Sequence, residues 1–260
     1  MIKIESISKN FGGVQAVNNT SFKIDQGSIT GLIGPNGAGK TTLFNIIAGN
    51  IKPSSGKVFL DGQDITGIPS YTLFNKGLLR TFQIAHEFST LTVLENLMMV
   101  PGSQSGENLI DAWFNHKKVS YQEKEIRKKA MEVIDFLNLN NLSQELAGNL
   151  SGGQKKLLEL GRTMMVEAKV VLLDEVGAGV NRTLLNEIIN AIIRLNKEHG
   201  YTFCMIEHDM DFISRLCNPV VVMAEGSVLA EGTIDEIKSN EEVIEAYLGR
   251  GSKNKIQKKV

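Results

Sequence analysis

The chain has 260 residues, 42% hydrophobic and 22% charged, a composition that supports one or two ordinary cores and excludes a disordered polymer. Its 28 Lys and Arg against 29 Asp and Glu leave a net charge of −1, so no basic field is present to hold a nucleic-acid backbone. No run approaches the roughly 18 apolar residues of a membrane span, and MIKIESISKN lacks a basic region followed by an apolar core. A cytosolic chain is expected, and two cysteines, Cys204 and Cys217, at no metal-ligand spacing suit a reducing compartment.

In chain order, residues 1–33 read as short strands, with Ile2-Lys3-Ile4 alternating and Gly12-Gly13 and Asp25-Gln26-Gly27 as turns. The apolar run from Ser28 to Ile33 leads into Gly34-Pro35-Asn36-Gly37-Ala38-Gly39-Lys40-Thr41, and a helical run from Leu43 to Ala48 follows. Strand, loop and helix fit the G-x-x-x-x-G-K-[ST] pattern. Small residues let backbone N–H groups curl round phosphate oxygens, Lys40 neutralises the outer phosphates, and the helix dipole adds to the anion site. After the turn Pro53-Ser54-Ser55-Gly56, Lys57 to Leu60 adds another strand and completes a β-rich N-terminal lobe.

From about 92 to 166 helical patterns dominate. Residues 101–118 are rich in Gly, Ser and Asn, carry the single tryptophan, Trp113, and read as a surface insertion with a short helix. Residues 121–137 form an amphipathic helix with Ile126, Ala130, Val133, Ile134 and Leu137 on one face. In Leu150-Ser151-Gly152-Gly153-Gln154, Ser151 and Gln154 stand at capping-box spacing before the helix from Leu157 to Met164. The two glycines either open that helix end to an anion or belong to a plain cap. After 168, strand and helix alternate: Val170 to Leu173, Leu184 to His199, Tyr201 to Ile206, Met210 to Cys217, Val220 to Met223. Such alternation predicts a parallel sheet covered by helices. The Val170 strand ends in Asp174 and Glu175, which belong at the carboxyl edge of the sheet, where ligands bind. The three motifs occur once each and in this order, which specifies one ATP site per chain.

Together these residues resemble the nucleotide-binding subunits of ATP-binding cassette (ABC) transporters, from Ile2 to about Leu248. LSGGQ between a P-loop and an acidic strand is that family's own mark. The resemblance implies an α/β fold: a P-loop NTPase core with a mainly parallel sheet, an N-terminal antiparallel β-subdomain and an inserted α-helical subdomain. Residues 1–91 and 167–250 would form the catalytic lobe, 92–166 the helical subdomain and 251–260 a basic flexible tail. Phe11 is similar to the aromatic that stacks on adenine, a core Phe at a turn being the alternative, and Val17 joins the nucleotide-binding set. Asn36, Gly37, Ala38, Gly39, Lys40, Thr41 and Thr42 would hold the phosphates of ATP. Thr41, Gln83 and Asp174 would hold Mg2+, Asp174 through water. Glu175 would deprotonate the attacking water, His208 would orient water and phosphate, and Lys40 would neutralise charge. Ser151, Gly153 and Gln154 would complete the site of a second subunit, so that ATP closes a head-to-tail dimer. Val176 stands where the family commonly has Pro, and Asn181 where it commonly has Asp. Neither change removes a catalytic group, but Asn181 removes a negative charge near the dimer interface.

Phe11 to Asn18, Arg80-Thr81-Phe82-Gln83, Leu91 to Leu97, Ile206 to Met210 and Ala246-Tyr247-Leu248-Gly249 are similar to the importer subunits for branched-chain amino acids. That branch implies transmembrane permease subunits, a second cassette, indirectly a periplasmic solute-binding protein, and a peripheral position on the cytoplasmic face of the membrane. Urea or short-amide importers and lipopolysaccharide exporters use similar subunits. A soluble ABC ATPase of DNA repair or translation remains a reading from another class. The stretch from Gln83 to Thr92 is expected to meet the permease or to serve as an ordinary connector. The Lys-rich tail from Arg250 to Val260 reads as a solvated segment, contact with anionic lipid heads being the alternative.

Overall fold

Ile2, Ile4 and Ile7 are all buried in strand β1 (Ile2–Phe11), although strict alternation would turn Ile7 to the opposite face. A bulge reconciles them: the register against β2 (Val14–Ile24) shifts between Ile4 and Ile7, and Ser6 adopts φ 49°. The computed structural model describes residues 1–81, 87–102, 104–107, 113–166 and 168–248. It divides the chain into two units: Met1–Arg80 with Lys169–Gly177 and the described residues from Ile193 onward, and Thr81–Ala168 with Ala178–Ile192.

The first unit holds two sheets. β1, β2, β4 (Ser55–Leu60) and β5 (Gln63–Asp64) make an antiparallel sheet in the order β2-β1-β4-β5. The second sheet has the order β10-β9-β3-β8-β7-β6, built from β3 (Ile29–Ile33), β6 (Leu78–Arg80), β7 (Val170–Asp174), β8 (Thr202–Ile206), β9 (Val220–Ala224) and β10 (Ser227–Gly232). All its pairs are parallel except β9 with β10. Every residue of β3, β7 and β8 is buried, which is why these strands read as continuous apolar runs rather than alternating ones. One core joins the sheets, with Phe44 and Ile47 of helix α1 (Lys40–Ile47) packed beside Ile4, Val58, Leu172 and Ile206. Helix α2 (Ser70–Asn75) precedes β6. Asn18 N–H donates to Gly226 O at 2.8 Å and Thr20 Oγ1 to the same oxygen at 2.7 Å, fixing the β9–β10 turn against β2.

The second unit contains α3 (Val93–Met98), α4 (His116–Phe136) and α5 (Gly152–Met165). A Cβ on Gly161 of α5 would lie 2.7 Å from a Leu137 methyl and 3.1 Å from Val133, so the glycine lets α5 pack closely against the end of α4. Asn96 is fully buried yet satisfied: its amide donates to the carbonyls of Phe88, Leu91 and Thr92, and its Oδ1 accepts from Phe88 N–H. Helix α4 begins five residues before the periodicity suggests, because residues 116–120 are polar and exposed except for the half-buried Val119, too little to set a period. Ala130, Val133, Ile134 and Leu137 are buried as expected, and Ile126 is half-buried. Trp113 is exposed, in keeping with a surface insertion.

Helix α6 (Arg182–His199) runs from the second unit into the first, where α7 (Met210–Leu216) follows β8. Beyond Met223 periodicity predicts no element. The structure adds β10, α8 (Ile234–Ser239) and α9 (Glu241–Leu248). No helix among the described residues is long and apolar enough to cross a membrane. Cys204 and Cys217 are free and buried, and burial pushes both thiols up.

Candidate functional site

The loop between β3 and α1 owes its shape to two glycines. Gly34 has φ 146° and Gly39 φ 93°, and a Cβ on them would come within 2.1 Å of Met223 O and 2.3 Å of Ala16 O. The loop therefore sits against two backbone segments with no room for a side chain. Asn36 and Gly37 face solvent at its tip. Lys40, the first residue of α1, is 6% exposed and donates from Nζ to Gly34 O at 2.7 Å and Pro35 O at 3.1 Å. Burial pushes its ammonium below the ordinary lysine range, while the charges of Glu175 and Asp174 pull in the other direction. All three charged groups thus share one neighbourhood. Thr41 is exposed in the first turn of α1, and Thr42 is half-buried.

Asp174 closes β7 and is 5% exposed; its Oδ2 accepts from an Arg80 guanidinium nitrogen at 2.7 Å. Glu175 follows with φ 50°, a left-handed conformation rare for glutamate, and its N–H donates to Ile206 O at 2.9 Å. That turn brings Glu175 Oε1 to 3.0 Å from Nε2 of His208, which lies just past β8. Beside it, the buried Glu207 accepts from Gly177 N–H at 2.7 Å and holds the chain after Glu175. Asp209 caps α7 by accepting from Asp211 and Phe212 N–H.

Phe11, at the end of β1, is 49% exposed, with Lys9 Nζ 5.1 Å from its ring centre, so it is not a core residue. Val17 is fully buried in the core. In the second unit Ser151 caps α5: Ser151 N–H donates to Gln154 Oε1 at 2.9 Å, and Ser151 Oγ accepts from Gln154 N–H. The two glycines that follow differ. Gly152 is exposed with open space around it, whereas a Cβ on Gly153 would meet Leu184 at 2.8 Å and Val180 at 3.0 Å. Asn181 also caps, accepting from Leu184 N–H at 3.0 Å, a task that Asn and Asp perform equally well. Gln83 and the tail from 249 onward lie outside the described residues.

Two residues had no assigned role from sequence: Arg80 on Asp174 and Glu207 on Gly177. Only the position of Glu207 next to His208 signalled it. A phosphate loop on a parallel sheet, with a lysine and two strand-end carboxylates in one electrostatic neighbourhood, defines a P-loop nucleoside triphosphatase.

Comparison with known proteins narrows this class. The family described as ABC transporter matches residues 17–178, and the family described as branched-chain amino acid ATP-binding cassette transporter matches 227–253. The chain belongs to the ABC transporter family, as an ATP-hydrolysing cassette. It is 40% identical to the probable branched-chain amino acid transport ATP-binding protein LivG of Archaeoglobus fulgidus, covering 96% of this chain and 95% of that protein. Identity to the high-affinity branched-chain amino acid transport ATP-binding protein BraF of Pseudomonas aeruginosa is 35%, over 96% and 98% of the two chains. Among solved structures, a nucleotide-free ATP-binding cassette from an ABC transporter superposes with a TM-score of 0.82 at 36% identity, covering 96% of this chain and 99% of that one. The ADP conformation of such a cassette gives 0.81 at 36% identity, over 96% and 98%.

Proposed function

We propose that this chain energises the import of branched-chain amino acids by binding and hydrolysing ATP on the cytoplasmic face of the membrane. The observation that carries the chemistry is that Lys40, Asp174 and Glu175 share one charged neighbourhood, with His208 on Glu175. The cargo reading is supported by relatives matched end to end that are named for branched-chain amino acid transport. Urea or amide import, lipopolysaccharide export and soluble roles have no comparable support.

In this reading the N–H groups of Asn36 to Thr42 receive the phosphates, Lys40 neutralises the outer ones, and Phe11 bounds the base, with the buried Val17 supporting the strand beside it. Glu175 takes a proton from the water that attacks the terminal phosphate, a role worth about 10²–10⁴ in rate. His208 orients that water and the phosphate. One carboxylate and one hydroxyl, Asp174 and Thr41, form a hard-oxygen donor set that suits Mg2+ arriving with phosphates, and Gln83 is assigned to the same ion. When bound, Mg2+ supplies charge neutralisation on the phosphate oxygens. Ser151, Gly153 and Gln154 serve the ATP of a second cassette, so nucleotide closes a head-to-tail pair. Exposure of Ser151 and Gly152 at a capped helix end supports this use. The remaining partners are transmembrane permease subunits, a second cassette, a different one in the cell with a second copy of this chain as the alternative, and, indirectly, a periplasmic solute-binding protein. Residues 1–91 with 167–250 act as the catalytic lobe and 92–166 as the helical one, with 251–260 as a tail.

The test is uptake of labelled leucine and labelled urea in cells lacking the chain, restored with wild type or Glu175→Gln. Leucine uptake rescued only by wild type is the expected result. Loss of urea uptake alone moves the chain to the amide branch, and no change in either sinks the import reading.

A further inference from the structure

Arg80 ends β6, and the parallel register sets it opposite Leu172, two residues before Asp174 on β7. A long side chain there reaches the strand-end carboxylate. One terminal guanidinium nitrogen donates to Asp174 Oδ2 at 2.7 Å, and the other donates to Asn45 Oδ1 at 2.6 Å. The guanidinium carbon also lies 6.0 Å from the ring centre of Phe44. Asn45 and Phe44 belong to α1, the helix that opens at Lys40. The Arg80 and Asp174 side chains are 9% and 7% exposed, and Arg80 Nε is buried with no partner among the described residues.

A buried ion pair with an unsatisfied donor is a poor source of stability. Its geometry is the more telling feature. We propose that Arg80 is a positioning residue: its planar fork ties the Asp174 carboxylate to the helix that carries Lys40 and Thr41, so that strand and helix present their Mg2+ donors in fixed relation. The inference rests on the assignment of Asp174 and Thr41 to Mg2+ made above. Lysine cannot replace the fork, because its ammonium is a point charge without two parallel donors.

The purified full chain is titrated with Mg2+ while binding of a fluorescent ATP analogue is followed, with a parallel measurement in EDTA and a thermal midpoint. Partners that orient metal-binding groups typically contribute about tenfold or more in metal affinity. Arg80→Lys, which keeps the charge, should raise the Mg2+ concentration for half-maximal effect about tenfold and leave binding in EDTA unchanged. Asn45→Ala, which removes the helix anchor together with an exposed contact from Asn50 and never touches Asp174, should shift it in the same direction by less. That variant decides the matter if Arg80→Lys fails to fold. A lowered thermal midpoint with unchanged Mg2+ response in both variants would reduce the fork to a structural pair. A lower Mg2+ requirement in Arg80→Lys would make the guanidinium a competitor of the ion. Wild-type binding that ignores Mg2+ would remove the Asp174 assignment itself, a failure separate from the other two.

Discussion

Gly37 and Gly39 both have positive φ, 81° and 93°, yet they sit in different surroundings. A Cβ on Gly37 meets nothing within 4 Å, whereas one on Gly39 meets Ala16 O at 2.3 Å. Gly37→Ala should therefore cost only the left-handed penalty, about 1 kcal/mol. Gly39→Ala adds an immovable backbone clash and should cost about 3 kcal/mol or more. Denaturant midpoints without nucleotide would separate them, and equal losses would refute the packing argument. The sequence pattern marks both glycines as phosphate-loop residues, but only the approach of Ala16 and Met223 tells which of the loop's glycines carry the fold. Gly153 repeats the lesson: it sits in the motif as an anion-site glycine, and the structure puts Leu184 and Val180 where its side chain would be. Glu175 runs the other way. Its position after an apolar strand was legible, whereas its left-handed backbone, which points the carboxylate at His208, depends on Ile206 O capturing its N–H.

At the scale of elements, one helix start was legible, the Ser151 cap of α5, while the equivalent caps of α3 and α8 emerged only in the structure. Thr92 with Glu95 and Thr233 with Glu236 form complete capping boxes at α3 and α8, as Ser151 with Gln154 does at α5. Hydrogen bonds from Thr92 and Thr233 hold the two glutamates below the ordinary 4.5. A carboxylate with a lowered folded pKa contributes stability that is present above its unfolded value and lost as pH falls through the folded one. The thermal midpoint should thus drop below about pH 4.5, and less steeply in the Glu95→Gln, Glu236→Gln double variant. Identical acid limbs in the two proteins would show that the caps do not titrate with folding. The bulge at Ser6 was not legible, because alternation over Ile2 and Ile4 predicts nothing about the extra residue that keeps Ile7 inside. β10, α8 and α9 were missed for a related reason: short elements lack enough turns or alternations to set a period.

For the whole molecule, the two units place the phosphate loop and the strand-end acids in one and the Ser151 helix end in the other. In the proposed reading, a second cassette completes the site that needs both motifs, with ATP as the link. Glu175→Gln should bind ATP, lose about 10²–10⁴ in turnover and elute as a dimer at saturating ATP and Mg2+, mixed with its partner cassette if the pair is heteromeric. Elution as a monomer under both conditions, with ATP bound, would count against closure by nucleotide.

Order and spacing of three motifs determined the chemistry by themselves, because phosphate recognition needs a contiguous run of small residues and a helix start, and a run is local in sequence. Periodicity likewise determined the parallel sheet, since buried strands and amphipathic helices leave different imprints. Tertiary structure decided what depends on residues far apart in the chain: Lys40 beside Asp174 and Glu175, Glu175 on His208, Glu207 on Gly177, Arg80 between Asn45 and Asp174. Such pairings are set by strand register and backbone approach. No local pattern encodes them, because each partner taken alone is an ordinary charged or polar residue at the end of a strand or on a helix.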